Sequence, residues 1–263
     1  MNSFVKPKEY SDLKELSKQR ESKKGSCVIH GEYESFHMFG TLYSNCPVCI
    51  KIHEKELLAK NKKLEKEAYD LRISNKIKSA NIPERFKNCS LENYKTDNPG
   101  QKAALKTTII YYENFKNIQK TGSSLFYCGS YGTGKTHLAL AILLKLIKKE
   151  ICTGIYSTTM RMIRDIRSSY SNQNLNEQDI IDNYVKTGLL VLDEVGVQMG
   201  TEAEKLLIYE VVNGRYENYK PTILISNLSF IEMTEYLGAR SIDRLKNKDG
   251  SMVIMDWESW RAK

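Results

Sequence analysis

No apolar run in this chain approaches the ~20 residues a helix needs to cross a bilayer. The opening residues MNSFVKPKEYSDLKEL lack the apolar centre of a secretory signal. A cytoplasmic protein with no membrane partner is expected. The chain holds six cysteines, which in a reducing compartment read as free thiols or metal ligands rather than as a disulfide framework. No internal repeat is visible. Residues 51–78 contain neither proline nor glycine, so nothing in that stretch breaks a helix.

What is present narrows the reading. A chain of 263 residues accommodates one main α/β domain and an accessory piece. Its 40 Lys+Arg outnumber 32 Asp+Glu for a net charge of +8, a balance that favours an anionic partner such as nucleic acid. Residues 1–26 are polar and charged with few apolar anchors and are expected to form a helix or frayed arm. The proline- and glycine-free stretch places Leu57, Leu64, Ala68 and Leu71 at helical spacing and predicts a long amphipathic helix over 51–78. Pro83 interrupts, a turn at DNPGQ precedes a helix over 101–119, and the main domain is expected to run over 81–263, leaving 1–80 as an N-terminal adaptor.

Within the main domain, apolar strands alternate with helices. The strands are SLFYC (124–128), GIYS (154–157), LLVL (189–192), TILIS (222–226) and MVIMDW (252–257); the helices are 135–149, 160–170 and 202–217. Strands separated by helices imply a parallel sheet sandwiched by helices.

Directly after the first of these strands lies GSYGTGKTH, Gly129 to His137. Gly129, Gly134, Lys135 and Thr136 satisfy G-x-x-x-x-G-K-[ST] and open a helix, the setting a phosphate loop requires. Glycines let backbone N–H groups curl toward phosphate oxygens and the helix N-terminus adds a favourable dipole. Gly129, Gly132, Thr133, Gly134, Lys135, Thr136 and His137 are therefore the expected contacts of ATP, with Thr136 also on Mg²⁺. The strand LLVL delivers Asp193 and Glu194 at its C-terminal end, where open α/β sheets bind ligands. Asp193 is expected to support Mg²⁺ and Glu194 to orient or deprotonate the attacking water. Asn227, ending the TILISN strand, can hydrogen-bond that water or the γ-phosphate. Arg240, Arg244 and Arg261 follow, and a guanidinium at a γ-phosphate stabilises spreading charge.

Arg161, Arg164 and Arg167 recur every third residue and end at Tyr170, placing charge for phosphates beside a ring for stacking bases, with Met160, Ile163 and Ile166 facing inward. Single-stranded DNA is the expected ligand. Nearer the N-terminus, Cys27-x₂-His30 and Cys46-x₂-Cys49 supply four ligands in two pairs, the spacing of a zinc ribbon. Zn²⁺ closure would hold together a segment too small for its own core. His37 is the alternative ligand; Cys89, Cys128 and Cys152 read as core or surface thiols.

The phosphate loop, the LDEVGVQ and ISNLS segments, NCSLENY and LGARSIDRL…MDWESWR together resemble the DnaC/DnaI helicase-loader group of AAA+ P-loop NTPases, which also contains IstB-type transposition helpers. The resemblance covers residues 81–263. It implies ATP hydrolysis by Lys135, Asp193, Glu194 and Asn227 and an Arg244, or alternatively Arg240, completing a neighbour's site. It also implies Arg261 as a second sensor in cis, and a domain without a C-terminal lid, since two residues follow Arg261. The expected partners are a replicative hexameric DNA helicase bound by residues 1–80, single-stranded DNA, and further copies in an open ring or spiral. A transposition helper handing DNA to a transposase, and a non-catalytic DNA-binding module switched by ATP, are the alternatives.

Overall fold

The computed structural model describes residues 21–39, 41–172, 174–196, 201–246 and 250–260. The chain divides into two compact units, Met1–Asp70 and Leu71–Lys263.

In the first unit, β1 (Ser22–Cys27) and β2 (Gly31–Phe39) pair antiparallel with Cys27 opposite Gly31, and β3 (Leu42–Tyr43) adds to β2. The expected helix or arm through residue 26 thus ends differently: residues 22–27 are a strand, because pairing with β2 satisfies their backbone groups. The part of that expectation over 1–20 lies outside the described residues. Helix α1 (Pro47–Ser79) begins four residues before the expected start, with Pro47 in its first turn. The long helix expected over 51–78 is present, and its Leu57, Leu64, Ala68 and Leu71 are exposed. Among the described residues no helix is long and apolar enough to cross a membrane.

In the second unit, among the described residues, five strands form one parallel sheet in the order β5-β6-β7-β4-β8. They are β4 (Leu125–Cys128), β5 (Gly154–Thr158), β6 (Leu189–Asp193), β7 (Thr222–Ile225) and β8 (Ser251–Ile254). Helices cover both faces: α2 (Pro99–Glu113), α3 (Phe115–Thr121), α4 (Lys135–Lys148), α5 (Thr159–Arg167), α6 (Glu177–Lys186), α7 (Glu202–Glu217), α8 (Phe230–Leu237) and α9 (Ala239–Lys246). The strand period of two sorts the core: Leu125, Tyr127, Leu189 and Val191 pack beneath α4 with residues of α2 and α3, while Phe126, Cys128, Leu190 and Leu192 pack against α5–α9.

Local sequence fixes the helix ends. Asn98 with Gln101, Thr201 with Glu204, and Ser229 with Glu232 each form a reciprocal capping box. The helix expected over 101–119 is two helices meeting at Asn114, and α6, α8 and α9 extend the expected set. On α5 the buried residues are Thr159, Met162, Ile163 and Ile166, while Met160, expected inside, is half-buried.

Candidate functional site

The phosphate loop runs from the end of β4 into α4, as its sequence predicts. Gly129 has φ 121° and Gly134, the N-cap of α4, φ 97°, backbone conformations that side chains rarely adopt. Lys135 is buried, and its ammonium donates to the carbonyls of Gly129 at 2.7 Å and Ser130 at 2.6 Å. The positive charge is thus folded over the loop it serves.

Register along the sheet brings the second motif alongside. Thr136 Oγ1 donates to Asp193 Oδ2 at 2.9 Å, Tyr156 OH donates to the same oxygen at 3.2 Å, and the Glu194 N–H donates to Asp193 Oδ1 at 2.7 Å. Burial pushes the Asp193 carboxyl above its ordinary range, and those donors oppose the shift. Glu194 has φ 59°, a conformation that is costly for any residue but glycine and characteristic of functional sites.

Gly132, Thr133, Gly134, Lys135, Thr136, His137, Asp193, Glu194 and Asn227 all line one cavity of about 510 Å³. The His137 ring is tied to the segment before α2: its Nε2 lies 2.9 Å from Ser90 O and its Nδ1 3.4 Å from Cys89 Sγ. A carbonyl only accepts, so Nε2 carries the hydrogen. Tyr131, within the loop, also lines the cavity. Sequence reasoning missed Arg85, Phe86, Tyr94 and Trp260, which line it too, since no spacing rule links residues so far from the loop. Tyr156 was missed for the same reason.

Among the described residues, Arg240 and Arg244 do not line this cavity. Arg240 is exposed on α9. Arg244 is half-buried, its Nη1 donating to Tyr209 OH at 2.5 Å and to Asn213 Oδ1, with its guanidinium 5.1 Å from the Tyr209 ring centroid and 5.8 Å from that of Tyr216. Arg261 lies outside the described residues. On α5, Arg161 and Arg164 are exposed, whereas Arg167 pairs with Glu204 at 3.1 Å and the Tyr170 hydroxyl donates to Glu177 at 2.8 Å.

The two cysteine–histidine pairs converge within the first unit. Cys27 ends β1 and His30 lies in the turn to β2, while Cys46 immediately precedes α1 and Cys49 lies in its first turn, the Ile50 N–H donating to Cys46 O at 3.0 Å. Their four ligand atoms lie within 4.8 Å of one another; the Cys27 Sγ–Cys49 Sγ distance is 3.6 Å and His30 Nδ1 stands 3.3 to 3.7 Å from all three sulfurs. Ligands about 2.1–2.3 Å from a tetrahedral Zn²⁺ sit roughly 3.5–3.8 Å apart, so the set fits the ion. The backbone N–H groups of Ile29 and His30 hold the Cys27 thiol down to about 6, while Cys27 itself pushes Cys49 up to about 11. Three crowded thiols ionise together only around a cation. His37 instead rests edge-on against Tyr43, ring centroids 5.4 Å apart.

Comparison with known proteins agrees with this geometry. The family model described as "IstB-like ATP binding protein" matches residues 52–263. The protein named "Replicative helicase loader DnaC" of Escherichia coli (strain K12) is 32% identical over 201 residues, 76% of this chain and 80% of that protein. The protein of the same name from Buchnera aphidicola subsp. Baizongia pistaciae (strain Bp) is 32% identical over 214 residues, 81% of this chain and 82% of that one. A crystal structure of the DnaC helicase loader superimposes with a TM-score of 0.60 at 25% identity, covering 66% of this chain and 100% of the other. A crystal structure of DnaI shares the fold, at a TM-score of 0.57 and 19% identity over 66% of this chain and 95% of that one.

Proposed function

From the premise that this chain belongs to the family of IstB-like ATP-binding proteins, we propose that it is an ATP-hydrolysing loader that delivers a hexameric replicative helicase onto single-stranded DNA. The reading is supported first by the convergence of Lys135, Thr136, Asp193, Glu194 and Asn227 on one cavity, and then by the names of relatives that are 32% identical over the aligned 201 and 214 residues.

In this reading Lys135 leaves the Gly129 and Ser130 carbonyls to neutralise the β- and γ-phosphates, and the loop N–H groups and the α4 dipole take the remaining charge. Thr136 and Asp193 would hold Mg²⁺, which would supply positive charge against that developing on the phosphates. Glu194 orients and deprotonates the attacking water, and Asn227 fixes the water or the γ-phosphate. Arg244, or Arg240 in its place, serves a neighbouring copy in an open ring or spiral, and Arg261 acts in cis. Arg161, Arg164, Arg167 and Tyr170 face single-stranded DNA. Residues 1–80, shaped by Zn²⁺ on Cys27, His30, Cys46 and Cys49, carry the helicase, and residues 81–263 carry the ATPase.

The test is to mix the full chain with the hexameric replicative helicase of its own organism, with and without ATP and single-stranded DNA. Complex mass and ATP turnover are followed together. A stable complex whose DNA loading needs ATP is expected. DNA-stimulated turnover without any helicase complex would sink the loader reading and move the chain to the transposition helpers of the same family.

A further inference from the structure

Two peptide planes of the phosphate loop are gripped by groups far away in sequence. The Thr133 carbonyl accepts from Trp257 Nε1 at 3.1 Å and from Tyr94 OH at 3.2 Å, and the Gly132 carbonyl accepts from the Trp260 backbone N–H at 3.0 Å. Just upstream the Met255 N–H donates to Cys128 O at 2.8 Å, so residues 255–260 carry the line of β8 across the loop. Contact is close on both sides: a side-chain carbon added to Gly132 would collide with Ser259, and one on Gly134 would stand 2.7 Å from the Tyr94 ring. The two glycines are needed for this approach as well as for their positive φ.

In a trans peptide the N–H points opposite to the C=O of the same plane, and no peptide in the described chain is cis. The plane with the Gly132 carbonyl carries the Thr133 N–H, and the plane with the Thr133 carbonyl carries the Gly134 N–H. Fixing the two carbonyls therefore fixes the direction of the two amides.

We propose that Trp257 and Tyr94 are positioning residues of the phosphate loop, holding the Thr133 carbonyl so that the Gly134 amide is set to receive phosphate before nucleotide arrives. The inference rests on the nucleotide reading above and adds to it a pair of residues that touch the loop from behind. Donors aimed in advance cost no reorganisation on binding. Because both side chains share one acceptor, each covers for the other's loss. The grip also links residues 255–260 to occupancy of the loop, and that linkage is reciprocal. The chain has two tryptophans, both in this segment, so their fluorescence reports the loop.

The experiment measures ADP and adenosine affinity for the full chain and for Trp257→Phe, Tyr94→Phe and the double variant. Tryptophan emission is followed for wild type and Tyr94→Phe, and displacement of a fluorescent ADP analogue for all four. Tyr94→Phe keeps the ring and removes only the hydroxyl. Trp257→Phe removes the donor together with the pyrrole half of the indole, so an unchanged thermal unfolding temperature is required of that variant before its affinities are compared. Each single variant is expected to weaken ADP roughly 3-fold, and the double variant more than the product of the two, while adenosine is unchanged. Hydrogen exchange of residues 129–136 without nucleotide should be faster in Trp257→Phe. ADP and adenosine weakening in parallel, or an additive pair with unchanged exchange, would overturn the positioning role. A wild-type chain that bound adenosine but not ADP would overturn the nucleotide reading itself, and this inference with it.

Discussion

Thr136 Oγ1 donates a 2.9 Å hydrogen bond to Asp193 Oδ2 across 57 residues of sequence, joining the first turn of α4 to the last residue of β6. The contact exists because β4 and β6 are both parallel to β7 in one sheet, which puts the C-terminal ends of the strands, and whatever follows them, at one edge. It gathers a hydroxyl and a carboxylate at a single point, which the proposed Mg²⁺ site would use.

Asp193→Asn should abolish the gain in ATP affinity that Mg²⁺ confers, while Glu194→Gln should bind ATP as wild type does and lose turnover by roughly 10²–10⁴-fold, the range of a general base. Fluorescent-nucleotide titrations with and without Mg²⁺, beside single-turnover hydrolysis, separate the two. Equal loss of binding in both variants would contradict the division of labour.

The purified chain should carry one Zn²⁺ by elemental analysis. Cys46→Ser and Cys49→Ser should lose it, and Cys89→Ser, Cys128→Ser and Cys152→Ser should retain it. Chelation should lower protection from hydrogen exchange over 22–49 and leave nucleotide affinity unchanged. Zinc retained by Cys49→Ser would rule out the four-ligand assignment.

Arg161→Ala and Arg164→Ala should weaken single-stranded DNA binding and each reduce the salt slope, log K against log[salt], by about 0.7. Arg167→Ala should do less, since Arg167 is paired with Glu204 at 3.1 Å. Filter binding or fluorescence anisotropy across a salt series reads this directly; an unchanged slope in the first two variants removes α5 from the DNA face.

Arg215 lies fully buried, and its guanidinium donates to the carbonyls of Tyr184, Val185, Thr187 and Pro221 and to Thr222 Oγ1. It satisfies the C-terminal end of α6 and the approach to β7 at once, and burial pulls it down to about 9. Arg215→Met strands those carbonyls and should cost ~3–5 kcal/mol. Thermal unfolding should fall by roughly 6–20 °C for a unit of this size, with nucleotide affinity intact below the transition. A fall under 2 °C would show that water replaces the guanidinium.

Much of the site was legible because its parts are local. Gly129, Gly134, Lys135 and Thr136 fall within one loop, Asp193 and Glu194 end one strand, and Cys27/His30 and Cys46/Cys49 are two pairs, each formed by a single turn. Backbone geometry over a few residues dictates such spacings. The spacing of Leu57, Leu64 and Leu71 located the helix and left open what its face meets: period shows that a face exists, and only a partner decides whether it is buried.

The sequence by itself determined the parallel sheet, the phosphate loop, the carboxylates beside it and the pairing of the four Cys/His residues that could hold a metal ion, since strand alternation, glycine conformations and ligand spacing act within short stretches. Tertiary structure alone decided that Tyr156 would reach Asp193, that Arg244 would rest on Tyr209 and Asn213, and that Trp257 and Tyr94 would meet on one carbonyl of the loop. Those contacts depend on how strands and helices are stacked, and the packing of a whole core fixes distances that no local spacing encodes.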